Sequence, residues 1–162
     1  AEVFFEHNQE GEENGEFPSS WDIYSGNVEN AKLGGDNVIM FRENSYIAPF
    51  LENAETPYLP EVFTFEFDIY YDEENKHHYC NVLFYDKVNQ RNPGISDLSV
   101  YANRAVMGNF EGNYPSTGMN QKVGGWRHIA IAFNKRSFRV SIAFCFFFVQ
   151  EYFINKARED II

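Results

Sequence analysis

Glu66 and Asp68 stand two residues apart in the run Val62 to Tyr71, and Tyr70 follows at the same spacing. In an extended chain successive side chains point to opposite faces, so the two carboxyls and the tyrosine share one face. Two carboxyls side by side can flank a glycosidic bond as nucleophile and acid/base. They can also accept hydrogen bonds from sugar hydroxyls while an adjacent ring meets the apolar face of the sugar. A third reading is a solvated outer strand face with no ligand at all.

Other chemistries find less support. His77 and His78 are adjacent, so on a strand they face opposite ways, and His7 and His128 are isolated in sequence. With no His-x-His pair and no His-Glu-x-x-His helix, catalytic zinc is not expected. Gly94-Ile95-Ser96 lacks the second glycine of a nucleophile elbow, and Gly34-Gly35 and Gly124-Gly125 read as turns rather than phosphate cradles. The stretch Glu10 to Glu16 offers carboxylates and loop carbonyls suited to a hard cation, so structural calcium stands open, though the spacing matches no defined calcium loop and singles out no ligands. The long connection Gly108 to Gly125, with Tyr114, Pro115 and Met119, is suited to form a binding rim.

The elements that must position these residues are strands. Phe63, Phe65, Phe67, Ile69 and Tyr71 alternate with Val62, Thr64, Glu66, Asp68 and Tyr70, which predicts a half-buried central strand. Asp72 to Lys76 reads as a hairpin connection into a second strand, His78 to Tyr85, expected to pair with the first. Trp126 to Phe133 alternates again, turns at Asn134-Lys135-Arg136 and returns through Phe138, Val140 and Ile142. Weaker strands are expected at Val3 to Glu6, Trp21 to Ser25, Val28 to Lys32, Asn37 to Arg42, Tyr46 to Leu51, Leu98 to Ala102 and Ala105 to Phe110. Phe153, Ile154, Ala157 and Ile161 are spaced for a short amphipathic helix over Glu151 to Ile162. Many short strands between turn clusters predict an all-β, antiparallel β-sandwich forming a single domain over residues 1–162.

Composition agrees with a packed core: 162 residues carry 2 Trp, 10 Tyr and 17 Phe. A net charge of −11 argues against a nucleic-acid surface, which needs clustered Lys and Arg. The longest apolar run, Ile142 to Val149, falls well short of the roughly 20 residues of a membrane-spanning helix. Cys80 and Cys145 both lie in apolar strand-like runs, which suits two buried thiols, and one bridge between them stays open. Ala1-Glu2 running straight into Val3-Phe4-Phe5 suits a trimmed, exported chain.

Three segments together resemble the concanavalin A-like lectin/glucanase superfamily, the laminin-G-like jelly rolls. They are Phe4-Phe5-Glu6 with the acidic loop and Phe17-Pro18-Ser19-Ser20-Trp21, then Phe63 to Tyr71, then Gly125 to Phe133. The arrangement is similar to non-catalytic modules placed ahead of OmpA-like, peptidoglycan-binding domains of bacterial envelope proteins. That resemblance implies a jelly roll in the periplasm, outer membrane or cell surface that binds a glycan or an envelope protein. It also implies that structural calcium would be in keeping with relatives of this fold. Glucanases of the superfamily use a Glu-x-Asp-x-Glu strand; here Glu66 and Asp68 match and Tyr70 replaces the third carboxyl, removing the expected proton donor. The strand after the Trp126-x-His128-x-Ala130 hairpin also departs from the pattern, because Ser141 to Cys145 stand where an Asp-Gly or Asp-Asp turn is usual.

The expected function is therefore a non-catalytic carbohydrate- or envelope-binding module. Its candidate contacts are Glu66, Asp68, Tyr70, Tyr79 and Tyr114, taking the polar face of the long strand as the concave one. A glycoside hydrolase or lyase using Glu66 and Asp68 is the alternative. A structural domain that self-associates into a homo-oligomer through its Phe-rich C-terminus is another.

Overall fold

The computed structural model describes residues 3, 5–50, 59–72, 78–84, 98–107, 124–134, 137–144 and 149–154. Among these residues the chain forms antiparallel strands and no helix. It divides into two compact units, 1–53 and 54–162.

In the first unit, β1 (Trp21–Ser25) pairs with β4 (Tyr46–Pro49), and β2 (Val28–Leu33) pairs with β3 (Asp36–Phe41). Gly34 and Gly35, at φ 62° and 108°, form the two-residue turn between β2 and β3, where both positions need a positive φ that other residues adopt at a cost. The turn from β1 to β2 is held by Ser45, whose Oγ accepts from the Asn27 amide at 2.9 Å and donates to the Asn27 carbonyl at 3.1 Å. Gly26 is required beside it, because a Cβ there would stand 2.2 Å from Ser45 Oγ. Residues 3, 5 and 6, expected in a strand, are not in one.

The acidic loop before β1 is organised by one carboxylate. Glu12 accepts from the Ser19 amide at 3.2 Å, the Ser19 hydroxyl at 2.5 Å and the Asn30 side-chain amide at 3.1 Å. Trp21 Nε1 donates to His7 Nδ1 at 3.1 Å, which leaves the proton of a neutral ring on Nε2, 3.3 Å from Glu12 Oε1. The Ser19 hydroxyl, ahead of its amide and His7, holds the Glu12 carboxyl below the usual carboxylate range. A depressed folded-state value contributes stability that is present above the unfolded value of about 4.3 and is lost as pH falls through the folded one. Glu12→Gln should therefore destabilise the chain at neutral pH and flatten its loss of stability under acid, as denaturant titrations from about pH 6 downwards would show.

The second unit contains β5 (Val62–Tyr71), β6 (Tyr79–Val82), β7 (Leu98–Tyr101), β8 (Arg104–Met107), β9 (Gly125–Asn134), β10 (Ser137–Phe144) and β11 (Val149–Ile154). The order β11-β10-β9-β5 makes one sheet and β6-β7-β8 another. Between them lies the core: Leu98 and Val100 from the smaller sheet meet Ile129, Ile131, Phe133, Val140 and Ile142 from the larger, with Phe63, Phe65, Phe67 and Ile69 packed alongside. Two polar side chains tie the sheets together. The Tyr71 hydroxyl, which burial pushes up from its ordinary pKa, donates to the Val100 carbonyl at 2.6 Å, and Arg127 Nε donates to the Ala102 carbonyl at 3.1 Å. Tyr71→Phe removes this buried hydrogen bond between the sheets, so a loss of about 0.5–1.5 kcal/mol is expected in urea unfolding.

β5 and the β9–β10 hairpin form where the alternation places them, with Ser137 opposite Asn134. Two expectations are corrected. β6 does not pair with β5: it joins β7 in the other sheet, while β5 pairs with β9 over all ten of its residues, Val62 opposite Asn134 to Tyr71 opposite Gly125. Two ten-residue strands of matching alternation bury more apolar surface together than β5 could with the four-residue β6. Second, the segment expected as a C-terminal helix begins as β11, paired with β10 from Ala143 opposite Val149 to Phe138 opposite Ile154. The otherwise unpaired edge of β10 supplies backbone partners to 149–154, and residues 155–162 lie outside the described ones.

Candidate functional site

The side of the larger sheet that turns away from the core carries the alternate residues of each strand. On β5 these are Thr64, Glu66, Asp68 and Tyr70, and on β9 they are Trp126, His128, Ala130 and Ala132, beside Arg139 and Ser141 of β10. The register sets Asp68 opposite His128, Glu66 opposite Ala130 and Tyr70 opposite Trp126. This arrangement follows from the apolar members of the same strands, because burying Phe65, Phe67, Ile129 and Ile131 inward turns the intervening residues outward.

At the centre the imidazole of His128 lies between two carboxylates. Its Nδ1 is 2.8 Å from Asp68 Oδ1 and its Nε2 is 3.7 Å from Glu66 Oε2. All three side chains remain open to solvent, at 41% for His128, 57% for Glu66 and 59% for Asp68. Next to them Tyr70 and Trp126 meet edge to face, with ring centroids 5.6 Å apart at 69°. Ala130, Ala132 and Ser141 are small, so the sheet is shallow beside this polar and aromatic group. An aromatic pair next to fixed carboxylate acceptors suits a ring with an apolar face and hydroxyl edges.

Glu66, Asp68 and Tyr70 thus share one surface, as their spacing requires. Tyr79 does not join them. It lies on β6, on the outer side of the smaller sheet, paired with Tyr101. Tyr114 lies outside the described residues. His128 and Trp126 are the site members that the sequence reading passed over. Their own alternation puts them on one face of β9, but the β5–β9 register that brings them to Glu66 and Asp68 has no local sign.

Cys80 is a free thiol on the inward side of β6, its pKa pushed up to about 11 by burial, and Cys145 lies outside the described residues. Among the described residues no three His, Cys, Asp or Glu side chains are grouped to hold a metal ion. In the acidic loop the Glu12 carboxylate is already engaged by Ser19, Asn30 and His7. No helix among the described residues is long and apolar enough to cross a membrane. No protein-family model, curated protein or solved structure matches the chain.

Proposed function

We propose that this chain is a non-catalytic, glycan-binding β-sandwich module of a bacterial envelope protein. Its contact surface in this reading is the open face of the larger sheet. The observation that carries the reading is His128 held against Asp68 and close to Glu66 beside the Tyr70–Trp126 pair. The imidazole hydrogen-bonds Asp68, restraining a carboxylate that would otherwise rotate freely, which lowers the entropy lost when it accepts hydroxyl hydrogen bonds. The aromatic pair supplies apolar contact area with few rotatable bonds.

The test is a glycan-array screen of the chain with and without calcium, with release of reducing sugar recorded and hits followed by tryptophan fluorescence. Saturable binding without product is expected, weakened about tenfold, or 1.4 kcal/mol, in His128→Ala. Absence of binding to every glycan would overturn the proposal. Release of sugar that Glu66→Gln abolishes would replace it with a hydrolase.

A further inference from the structure

The outer face of the smaller sheet has a different chemistry. Its outward positions, by the β6–β7–β8 register, are Tyr79, Asn81, Ser99, Tyr101, Arg104 and Val106, of which Arg104 alone is charged. Tyr79 and Tyr101 lie side by side with ring centroids 5.2 Å apart at 33°, and the Arg104 guanidinium carbon is 4.5 Å from the centre of the Tyr101 ring. One aromatic-cationic row therefore crosses three strands, a width of about 10 Å at roughly 4.8 Å per strand. Tyr79 is 53% exposed, so the row is open at that end.

Among the described residues Arg104 has no counter-charge. Among the described residues its Nε is buried without a hydrogen-bond partner and its guanidinium meets the Tyr101 ring, in a chain whose net charge is −11. A cation among so many carboxylates would ordinarily acquire one. Instead its guanidinium lies over a tyrosine ring, and a guanidinium is suited to bidentate pairing with a carboxylate. Beside it the Ser99 hydroxyl donates to Asn81 Oδ1 at 2.6 Å, which orients the Asn81 amide.

We propose that this row is a second binding site, selective for an oligosaccharide that contains uronic acid. Arg104 pairs with the carboxylate, and the Tyr79 and Tyr101 rings take the C–H faces of adjoining sugars. A saccharide fits better than an acidic peptide, because an extended peptide is captured by the free backbone of a sheet edge and this row lies on a sheet face. The site does not depend on the Glu66–His128–Asp68 surface, whose carboxylates would repel the same ligand.

The experiment titrates the isotopically labelled chain with tetragalacturonate, with a neutral galactose tetramer and with tetraglutamate, following amide shifts in residues 79–82 and 98–107. Saturable shifts are expected there with tetragalacturonate, and raising the salt should weaken them. Arg104→Gln and Tyr79→Ala should each weaken binding about tenfold, while His128→Ala leaves it unchanged. Tyr79→Ala removes an exposed ring, so it serves if Arg104→Gln disturbs folding. No saturable shift with tetragalacturonate would overturn the proposal, as would equal affinity for the neutral tetramer or tetraglutamate, or full affinity in both Arg104→Gln and Tyr79→Ala. The failure of the larger sheet to bind neutral glycans would leave this result standing, so the two readings fail separately.

Discussion

Ile131→Ala should lower the unfolding free energy by about 2–5 kcal/mol, seen as a shift of the urea midpoint at nearly constant slope. Ile131 is 0% exposed and lies between Phe65 of β5 and Val140 of β10 in register, with Leu98 and Val100 of the opposite sheet in the same cluster. Truncation removes packed atoms from both sheets at once, and a rigid β-sandwich can close little of the resulting space. Ala132→Ser, one residue on but facing outward, is the matched control and should stay within about 0.5 kcal/mol. A loss below about 1 kcal/mol at Ile131 would mean that the two sheets do not meet as described.

Arg127→Met should cost about 2–4 kcal/mol in the same assay. The side chain is 2% exposed and sits on the inward face of β9, opposite Ile69, so it is desolvated like its apolar neighbours. Its Nε donates to the Ala102 carbonyl at 3.1 Å and its Nη1 to the Trp126 carbonyl at 2.9 Å. Methionine fills similar volume but returns no donor, so both hydrogen bonds of the buried guanidinium are lost. Arg127→Lys keeps a charge without the planar fork and should fall between wild type and Arg127→Met. A neutral Arg127→Met would show that burying the guanidinium costs as much as its hydrogen bonds return.

These two residues mark what was legible in the chain. The alternation that makes Ile129, Ile131 and Phe133 inward is local, as is the two-residue gap between Asn134 and Ser137. Hence β9, β10 and their pairing could be read directly, and so could β5 with Glu66, Asp68 and Tyr70 on one side. Arg127 occupies an inward place that its polarity disguises. Partner choice was less legible. A short connection favoured β6 as the mate of β5, yet the distant β9 matches its length and apolar pattern, and cross-strand packing over ten residues outweighs closeness in sequence. For the same reason Tyr79, nine residues after Tyr70, ends on another sheet, while His128, distant in sequence, ends against Asp68. The segment from 151 satisfied helical spacing at Phe153 and Ile154, but spacing alone takes no account of an open edge on β10.

Among the described residues β5 is the last strand of its sheet, in the order β11-β10-β9-β5, and it is ten residues long. A terminal strand of that length is a template on which a second chain could lay its own backbone, extending the sheet from molecule to molecule. Glu66 and Asp68 bear on that outcome, since a copy docking there would bring further carboxylates beside theirs on one surface. The negative charges that would receive a ligand's hydroxyls thus also act as gatekeepers, opposing lateral growth of the sheet into aggregates.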